Sequence, residues 1–355
     1  MFRRVISEAL TGLPDVEIIG TASSGKTALA RIAELNPDLI TLDIEMPDMS
    51  GLEVLAEMRR RASQTGAIVV SALTVRGGEM TLRALELGAF DFITKPAGGT
   101  LEENQRAIRE ELAPAVKAFA HRREIRSILR GQPVLPRPAP APAGAKDNLN
   151  GVARRMGQLA GRGRPEIVVI GVSTGGPVAL GEVIPKLPRD LNVPVLIVQH
   201  MPPTFTRCLA ASLDARSSIR VREAADNDVL EPNVAWIAPG GRQMKVVAGP
   251  NGTRVLRITD DPQENNCRPA VDYLFRSVAQ CCPGKSVAVI MTGMGGDGTL
   301  GLRLMKRDGC TSIAQDEATS VVFGMPGEAI KAGVVDIVSP LTGLSAEITR
   351  AVRGC

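Results

Sequence analysis

The chain has 355 residues, of which 44% are hydrophobic and 23% are charged, and its formal net charge is +4. This length allows two domains of ordinary size, and the composition is typical of a globular protein. No apolar run reaches the roughly 18 residues that a membrane-spanning helix needs, and the N-terminal segment lacks the apolar stretch of a signal peptide. We therefore expect a cytoplasmic protein that does not insert into a membrane.

The first part of the chain alternates predicted strands and helices, which is typical of a parallel sheet covered on both faces. It opens on an amphipathic helix in MFRRVISEALTGLPD. Strands are predicted at 16–22, 38–44, 67–73 and 90–96. Helices are predicted at 26–35, 51–60, 78–88 and from 101 as far as 129.

Polar residues end three of these predicted strands. Asp43 follows a buried strand, Ser71 ends the next one, and Lys95 lies at the end of FDFITKP. Singly, each has an ordinary structural interpretation as a helix cap, a turn former or a solvated charge. Together, a carboxylate, a hydroxyl and an ammonium at one sheet edge favour a phosphorylation sensor, because a phosphorylated carboxylate needs its added charge to be offset.

A Pro- and Ala-rich stretch at 131–146 has no periodicity and predicts a linker. Ten Lys and Arg residues and two acidic residues lie between His121 and Arg164, so the basic excess of the chain belongs largely to this region. A folded basic face is therefore not predicted, and nucleic acid is not an expected partner.

Beyond the linker, three predicted strands run into loops of unusual composition. They lie in EIVVIGVSTGGP (166–177), VPVLIVQHMPP (193–203) and SVAVIMTGMGGDG (286–298). A β-hairpin or meander is predicted from VAWIAPGG (234–241) and TRVLRITDD (253–261). In open α/β sheets the carboxyl ends of the strands form the ligand-binding edge.

The residues at those three strand ends suggest a hydrolase. Ser173 lies in G-x-S-x-G, His200 is the one histidine in this half of the chain, and Asp297 lies among glycines. A serine nucleophile needs a near-neutral base, and a carboxylate orients that base. The alternatives are a phosphate-binding turn, a structural histidine and a turn aspartate. The six cysteines form no CxxC pair and lie at no zinc-ligand spacing from a histidine, which predicts free thiols in a reducing compartment.

With these motifs in place, the chain resembles a known family over nearly its whole length. LDIEMPDMSGLEVL, VVSALT and TLRALELGAFDFITKP resemble the signature blocks of response-regulator receivers. GVSTGG, QHMPPTFT, NCRPAVDYLF, MTGMGGDG and AQDEATSVVFGMPGEAI resemble, in order, those of the chemotaxis protein-glutamate methylesterase. The resemblance implies an α/β fold with a flavodoxin-like receiver (1–118), a basic linker (119–164) and a doubly wound, mostly parallel esterase domain with a β-hairpin (165–355).

For the second domain, the resemblance implies a catalytic triad and an oxyanion site. Ser173 would be the nucleophile, His200 the general base and acid, and Asp297 its orienting carboxylate. Backbone N–H groups near Thr174 and Met294 would stabilise the oxyanion. The substrates would be glutamate methyl esters, and also glutamines, on methyl-accepting chemoreceptors, and no cofactor is implied for catalysis.

For the first domain, the resemblance implies phosphorylation of Asp43 by a chemotaxis histidine kinase, with Ser71 and Lys95 as switch residues. Receivers of this family begin with a strand and a pair of acidic residues that bind Mg²⁺. This sequence opens on the helix that follows that strand, which leaves Asp43 and the Glu45 carbonyl as the expected metal ligands. We therefore expect the natural protein to begin roughly a dozen residues upstream of Met1, enough for one strand and an acidic turn.

Two other functions stay open from the residues alone. GVSTGGP is a possible phosphate loop of a nucleotide-binding domain, although it lacks both the Gly-Lys-Ser/Thr ending of a P-loop and GxGxxG spacing. The second domain is also compatible with a non-catalytic receptor-binding adaptor.

Overall fold

The computed structural model describes residues 2–96, 98–131 and 164–354, with only the backbone helix described for 125–131. Of the predicted linker (119–164), residues 132–163 lie outside the described residues, whereas residues 119–131 belong to helix α5. None of the helices in these ranges combines the length and the apolar character needed to cross a membrane.

The first unit is a three-stranded parallel sheet with helices around it. Its strands are β1 (Leu39–Asp43), β2 (Gly66–Ser71) and β3 (Asp91–Thr94), in the order β1-β2-β3. Its helices are α1 (Phe2–Thr11), α2 (Gly25–Leu35), α3 (Gly51–Arg60), α4 (Val75–Glu86) and α5 (Leu101–Gly131). The βα alternation predicted from the sequence is confirmed for these elements.

The prediction of a strand at 16–22 is wrong for this structure. These residues form no ladder, and the side chains of Ile18 and Ile19 are exposed. In the receiver strand order 2-1-3-4-5, the partner of this segment is the first strand. Among the described residues, segment 16–22 has no ladder partner.

The second unit is built on a seven-stranded sheet in which all neighbours are parallel. Its strands are β4 (Ile167–Val172), β5 (Val195–Gln199), β6 (Arg220–Glu223), β7 (Val234–Ile237), β10 (Ser286–Ile290), β11 (Thr311–Gln315) and β12 (Ile337–Ser339). Their order is β12-β11-β10-β4-β5-β7-β6. The helices are α6 (Gly176–Val183), α7 (Phe205–Asp214), α8 (Val271–Cys281), α9 (Thr299–Arg307), α10 (Met325–Lys331) and α11 (Leu344–Arg353).

The predicted hairpin is present but pairs differently from the prediction. Residues 234–237 are a strand of the main sheet, parallel to β5, and not one arm of the hairpin. The hairpin consists of β8 (Gln243–Ala248) and β9 (Arg254–Thr259). The buried run of β7 fits between two parallel strands, whereas β8 has the half-exposed pattern of a strand that covers one face.

Side chains of the central strands alternate between two hydrophobic cores. Val168 and Ile170 of β4 belong to one core, and Ile167 and Val169 belong to the other. Both faces of the sheet are therefore covered by helices or by the hairpin. The polar residues that follow these strands are left at the sheet's carboxyl edge.

The two units pack against each other. Phe92 of β3 stacks on Phe205 of α7, with ring centroids 5.1 Å apart and planes 6° from parallel. Leu82 of α4 joins a core of the second unit, and Val322 of the second unit joins a core of the first. Burial of these apolar side chains stabilises the contact.

Candidate active site

Three neighbouring parallel strands bring the predicted catalytic residues to one edge. Ser173 directly follows β4, His200 directly follows β5, and Asp297 lies in the loop after β10. The strand order β10-β4-β5 makes their carboxyl ends adjacent. This is the edge at which ligands bind in open α/β sheets.

His200 and Asp297 form a direct pair, with 2.9 Å between His200 Nε2 and Asp297 Oδ2. The carboxylate also accepts three further hydrogen bonds. The backbone N–H of Val271 donates to Oδ2 at 2.7 Å, and the N–H of Asp272 donates to Oδ1 at 3.0 Å. The Asn265 amide donates to Oδ1 at 2.8 Å. Asp297 is therefore fixed at the N-terminus of α8, whose partial positive charge favours a carboxylate.

These contacts determine the ionisation of the pair. Burial opposes the charge on Asp297, but the hydrogen bond from His200 and those from the backbone lower the pKa of Asp297. Burial likewise opposes the charge on His200, but its hydrogen bonds with Asp297 and Cys267 raise the pKa of His200. With Asp297 ionised, Nε2 carries the proton of the neutral imidazole and Nδ1 is left as the basic atom.

The backbone around Ser173 is held by neighbouring loops. Its N–H donates to Thr292 O at 3.0 Å, and the Gln199 amide donates to its carbonyl at 3.0 Å. Gly293 passes so close that a Cβ there would lie 2.8 Å from the Cβ of Ser173. Within the described ranges, the Ser173 hydroxyl forms no hydrogen bond with His200. Ser173 and His200 therefore lie at the ends of adjacent strands without a hydrogen bond between their side chains.

The predicted oxyanion residues lie beside Ser173. Thr174 is the next residue in the turn, and Met294 follows Gly293 in the adjacent loop. Among the residues that the structure describes, neither backbone N–H group has an acceptor. Both N–H groups are therefore available to a ligand atom near Ser173.

Two residues at this site were not identified from the sequence. Asn265 bridges Asp297 and Asp272. Cys267 Sγ lies 3.6 Å from His200 Nδ1, a proximity that the spacing of cysteines and histidines along the sequence does not indicate. Both belong to the loop before α8, and only the fold brings that loop to the end of β5. The sequence signal for this loop is the Asn-Asn pair at 265–266, because asparagine is common in tight turns. In the structure both residues adopt the left-handed conformation that such a turn requires.

The three predicted sensor residues also gather at one edge, that of the first unit. Lys95 Nζ donates to both oxygens of Asp43, at 2.8 and 2.7 Å. Ser71 is buried, and its hydroxyl donates to the Gly77 carbonyl in α4 at 3.1 Å. Asp43, Glu45, Ser71 and Lys95 line one small pocket. Ser71 is thus bonded to α4 and not to the carboxylate.

The Mg²⁺ ligands expected here are few. Asp43 and Glu45 are the acidic residues of the pocket, and both Asp43 oxygens are engaged by Lys95. Mg²⁺ needs near-octahedral oxygen ligation. Receiver domains use Mg²⁺ for phosphorylation, but the residues described here do not by themselves form such a site.

A hydrogen bond links the two units beside Ser173. Thr174 Oγ1 donates to Asp91 Oδ2 of β3 at 2.9 Å. Burial raises the pKa of Asp91 to about 6, although the hydrogen bonds from Phe92 and Thr174 act in the opposite direction. The first unit therefore contacts the residue directly after Ser173.

Comparisons with known proteins agree with this architecture. A family model described as CheB methylesterase matches residues 168–348, and one described as response regulator receiver domain matches residues 1–106. The chain is 46% identical over 354 residues to a protein-glutamate methylesterase/protein-glutamine glutaminase of Desulfotalea psychrophila, covering 99% of this chain and 96% of the relative. It is 41% identical over 356 residues to the protein of the same name from Bacillus subtilis, covering 99% and 95%.

A solved structure resembles the second unit. The Thermotoga maritima CheB methylesterase catalytic domain is 42% identical, with a TM-score of 0.51, and the match covers 52% of this chain and 98% of that one. The α/β fold of the esterase unit is thus shared with a crystal structure.

Proposed function

Because the chain belongs to the CheB methylesterase family, we propose that it hydrolyses glutamate methyl esters on chemoreceptors to glutamate and methanol. Receptor glutamines are its second substrate class, with ammonia as the leaving group. The observation that carries the chemistry is the His200–Asp297 pair at the strand edge where Ser173 lies. The nearly full-length similarity to named esterases favours this function over a nucleotide-binding domain or an adaptor.

Acylation begins at Ser173. Its Oγ attacks the ester carbonyl carbon while His200 Nδ1 accepts the hydroxyl proton. The negative oxygen of the tetrahedral intermediate binds the free N–H groups of Thr174 and Met294. Ionised Asp297 stabilises the imidazolium that forms. Collapse of the intermediate breaks the C–O bond, and the His200 proton passes to the departing methoxide to give methanol.

Deacylation repeats these steps with water. His200 Nδ1 accepts a proton from water, which attacks the acyl-Ser173 carbonyl. The second tetrahedral intermediate expels Ser173 Oγ, which regains its proton from His200. The same residues serve the amide substrate, because only the leaving group differs.

Regulation is proposed to act through the receiver. A histidine kinase phosphorylates Asp43, and the added dianion attracts Lys95 and the Ser71 hydroxyl. Turning that hydroxyl breaks its bond to Gly77 and alters α4, which packs on the esterase unit. In the unphosphorylated state, the Asp91–Thr174 contact and the Phe92–Phe205 stack hold the receiver over the Ser173 edge and limit substrate access.

Methanol release from methylated receptor membranes tests the role of Ser173. Ser173→Ala lowers turnover by several orders of magnitude, as removal of a triad member does in other hydrolases. Receptor binding by co-sedimentation is retained. The matched control is Ser212→Ala on α7. Within the described part of the chain its hydroxyl bonds only Arg216, and we expect its loss to leave turnover unchanged. Turnover of Ser173→Ala within about tenfold of the parent would remove Ser173 from the mechanism and favour an adaptor.

A further inference from the structure

The basic nitrogen of His200 faces a thiol that the proposed ester hydrolysis does not use. Cys267 Sγ lies 3.6 Å from Nδ1, and Asp297 holds the opposite nitrogen, Nε2. Among the described residues, this is the one group of three His, Cys, Asp or Glu side chains with ligand atoms within 4.8 Å of one another. His200 and Cys267 are both partly exposed, so a small solute can reach them from solvent.

The orientation of His200 is that of a metal ligand. The nitrogen that does not bind the metal in such histidines donates its hydrogen to a carboxylate, which fixes the tautomer and makes the other nitrogen more basic. Asp297 performs this function for Nε2, and three further donors prevent the carboxylate from turning away. The lone pair of Nδ1 is therefore directed toward Cys267.

We propose that His200 Nδ1 and Cys267 Sγ form a binding site for a thiophilic divalent cation, Zn²⁺, that inhibits the esterase. Zn–S and Zn–N bonds of about 2.3 and 2.05 Å at a tetrahedral angle place S and N about 3.6 Å apart. The observed separation of the two atoms is 3.6 Å. The separation of the two atoms therefore matches a Zn²⁺ ion bound to both, with water at its remaining positions.

Binding is a ligand exchange that changes no oxidation state. The thiol of Cys267 loses its proton to solvent, the thiolate forms the Zn–S bond, and Nδ1 donates its lone pair to the ion. Asp297 remains the hydrogen-bond partner of Nε2 and is not a ligand. Since Nδ1 is then no longer a base, Ser173 cannot be activated. The inhibition rests on the proposed role of His200, whereas the binding does not.

The test uses the intact chain, with Zn²⁺ titrated into the methanol-release assay and EDTA added to reverse it. We expect inhibition by Zn²⁺ but not by Mg²⁺, which avoids sulfur ligands. Each variant is compared with its own metal-free rate. Cys267→Ser and Cys267→Ala raise the half-inhibitory Zn²⁺ concentration at least tenfold. Cys281→Ser removes a partly exposed thiol that is bonded to the Val246 carbonyl, and it leaves the half-inhibitory Zn²⁺ concentration unchanged.

A second measurement reports binding without activity. Co²⁺ in place of Zn²⁺ gives a thiolate-to-metal charge-transfer band with the parent protein and with Cys281→Ser, and no band with Cys267→Ser. Equal Zn²⁺ inhibition of the parent and Cys267→Ser, or a band that persists in Cys267→Ser, overturns the site. A band that depends on Cys267 without any inhibition overturns the inhibitory role. Absence of metal-free esterase activity in the parent contradicts the proposed function and leaves the binding result standing.

Discussion

Asp297→Asn is the sharpest test of the proposed triad. The four groups that contact the Asp297 carboxylate are all donors, two on each oxygen. An asparagine offers one oxygen and one NH₂ group. One of the two pairs of donors therefore faces the NH₂ group, which is itself a donor and cannot accept their hydrogen bonds. The side chain keeps its shape and loses its charge.

Either orientation of the new amide has a defined consequence. If its NH₂ group faces His200, the imidazole must accept a hydrogen bond at Nε2, and its proton moves to Nδ1. Nδ1 can then no longer accept a proton from Ser173. If its NH₂ group faces Asn265, the charge that stabilises the imidazolium is lost, and the Asp272 N–H has no acceptor. In both cases one buried N–H is unpaired, which costs about 1–3 kcal/mol of stability. Turnover falls roughly 10⁴-fold, as in other triads with this change.

The assays are methanol release and urea unfolding, and Asp272→Asn is the matched control. Asp272 accepts hydrogen bonds from Gly301 and Asn265 in the same buried cluster but does not contact His200. We expect Asp272→Asn to reduce stability and to keep turnover within about tenfold of the parent. Asp297→Asn with turnover equal to that control would refute the assignment of Asp297.

The remaining predictions concern pH, the receiver and the phosphorylation site. In the proposed mechanism the neutral form of His200 is active, and the pKa of His200 is raised, so we expect kcat/KM to rise with pH along a limb that lies above the ordinary histidine pKa of about 6.5. A limb centred at pH 6 or below would contradict this. Residues 165–355 alone should have a higher kcat/KM than the intact unphosphorylated chain, and equal values would exclude occlusion by the receiver. Asp43→Asn should abolish phosphoryl transfer from the kinase, whereas exposed Asp48→Asn should not, and labelling of Asp43→Asn would show that another residue is the acceptor.

Most helices and strands could be predicted from the spacing of hydrophobic residues, because buried strands and amphipathic helices each have a characteristic local pattern. The failures arose where pairing depends on distant residues. Segment 16–22 has strand composition but no partner, and a strand without a ladder is not formed. The run 234–237 was predicted as part of a hairpin or meander, whereas its buried side chains place it beside β5.

The candidate site was predicted to a similar extent. Ser173, His200 and Asp297 each follow a strand, so parallel pairing was sufficient to bring them to one edge. Cys267 and Asn265 lie in an irregular loop whose path is determined by the docking of α8. The spacing of hydrophobic residues along the sequence does not predict the contacts of such a loop. The Asp91–Thr174 bond was likewise beyond sequence reasoning, because it depends on how two separate units pack.

The position of Asp91 against Thr174 has a kinetic consequence. If the receiver covers the Ser173 edge as proposed, it excludes the substrate but leaves Ser173, His200 and Asp297 in place, and it is then an intramolecular competitive inhibitor. Because receiver and esterase share one polypeptide, the effective concentration of this inhibitor is independent of protein concentration. Such an inhibitor raises KM and leaves kcat unchanged. In that case densely clustered receptors would displace the receiver by mass action, and phosphorylation would set the receptor density at which they do so.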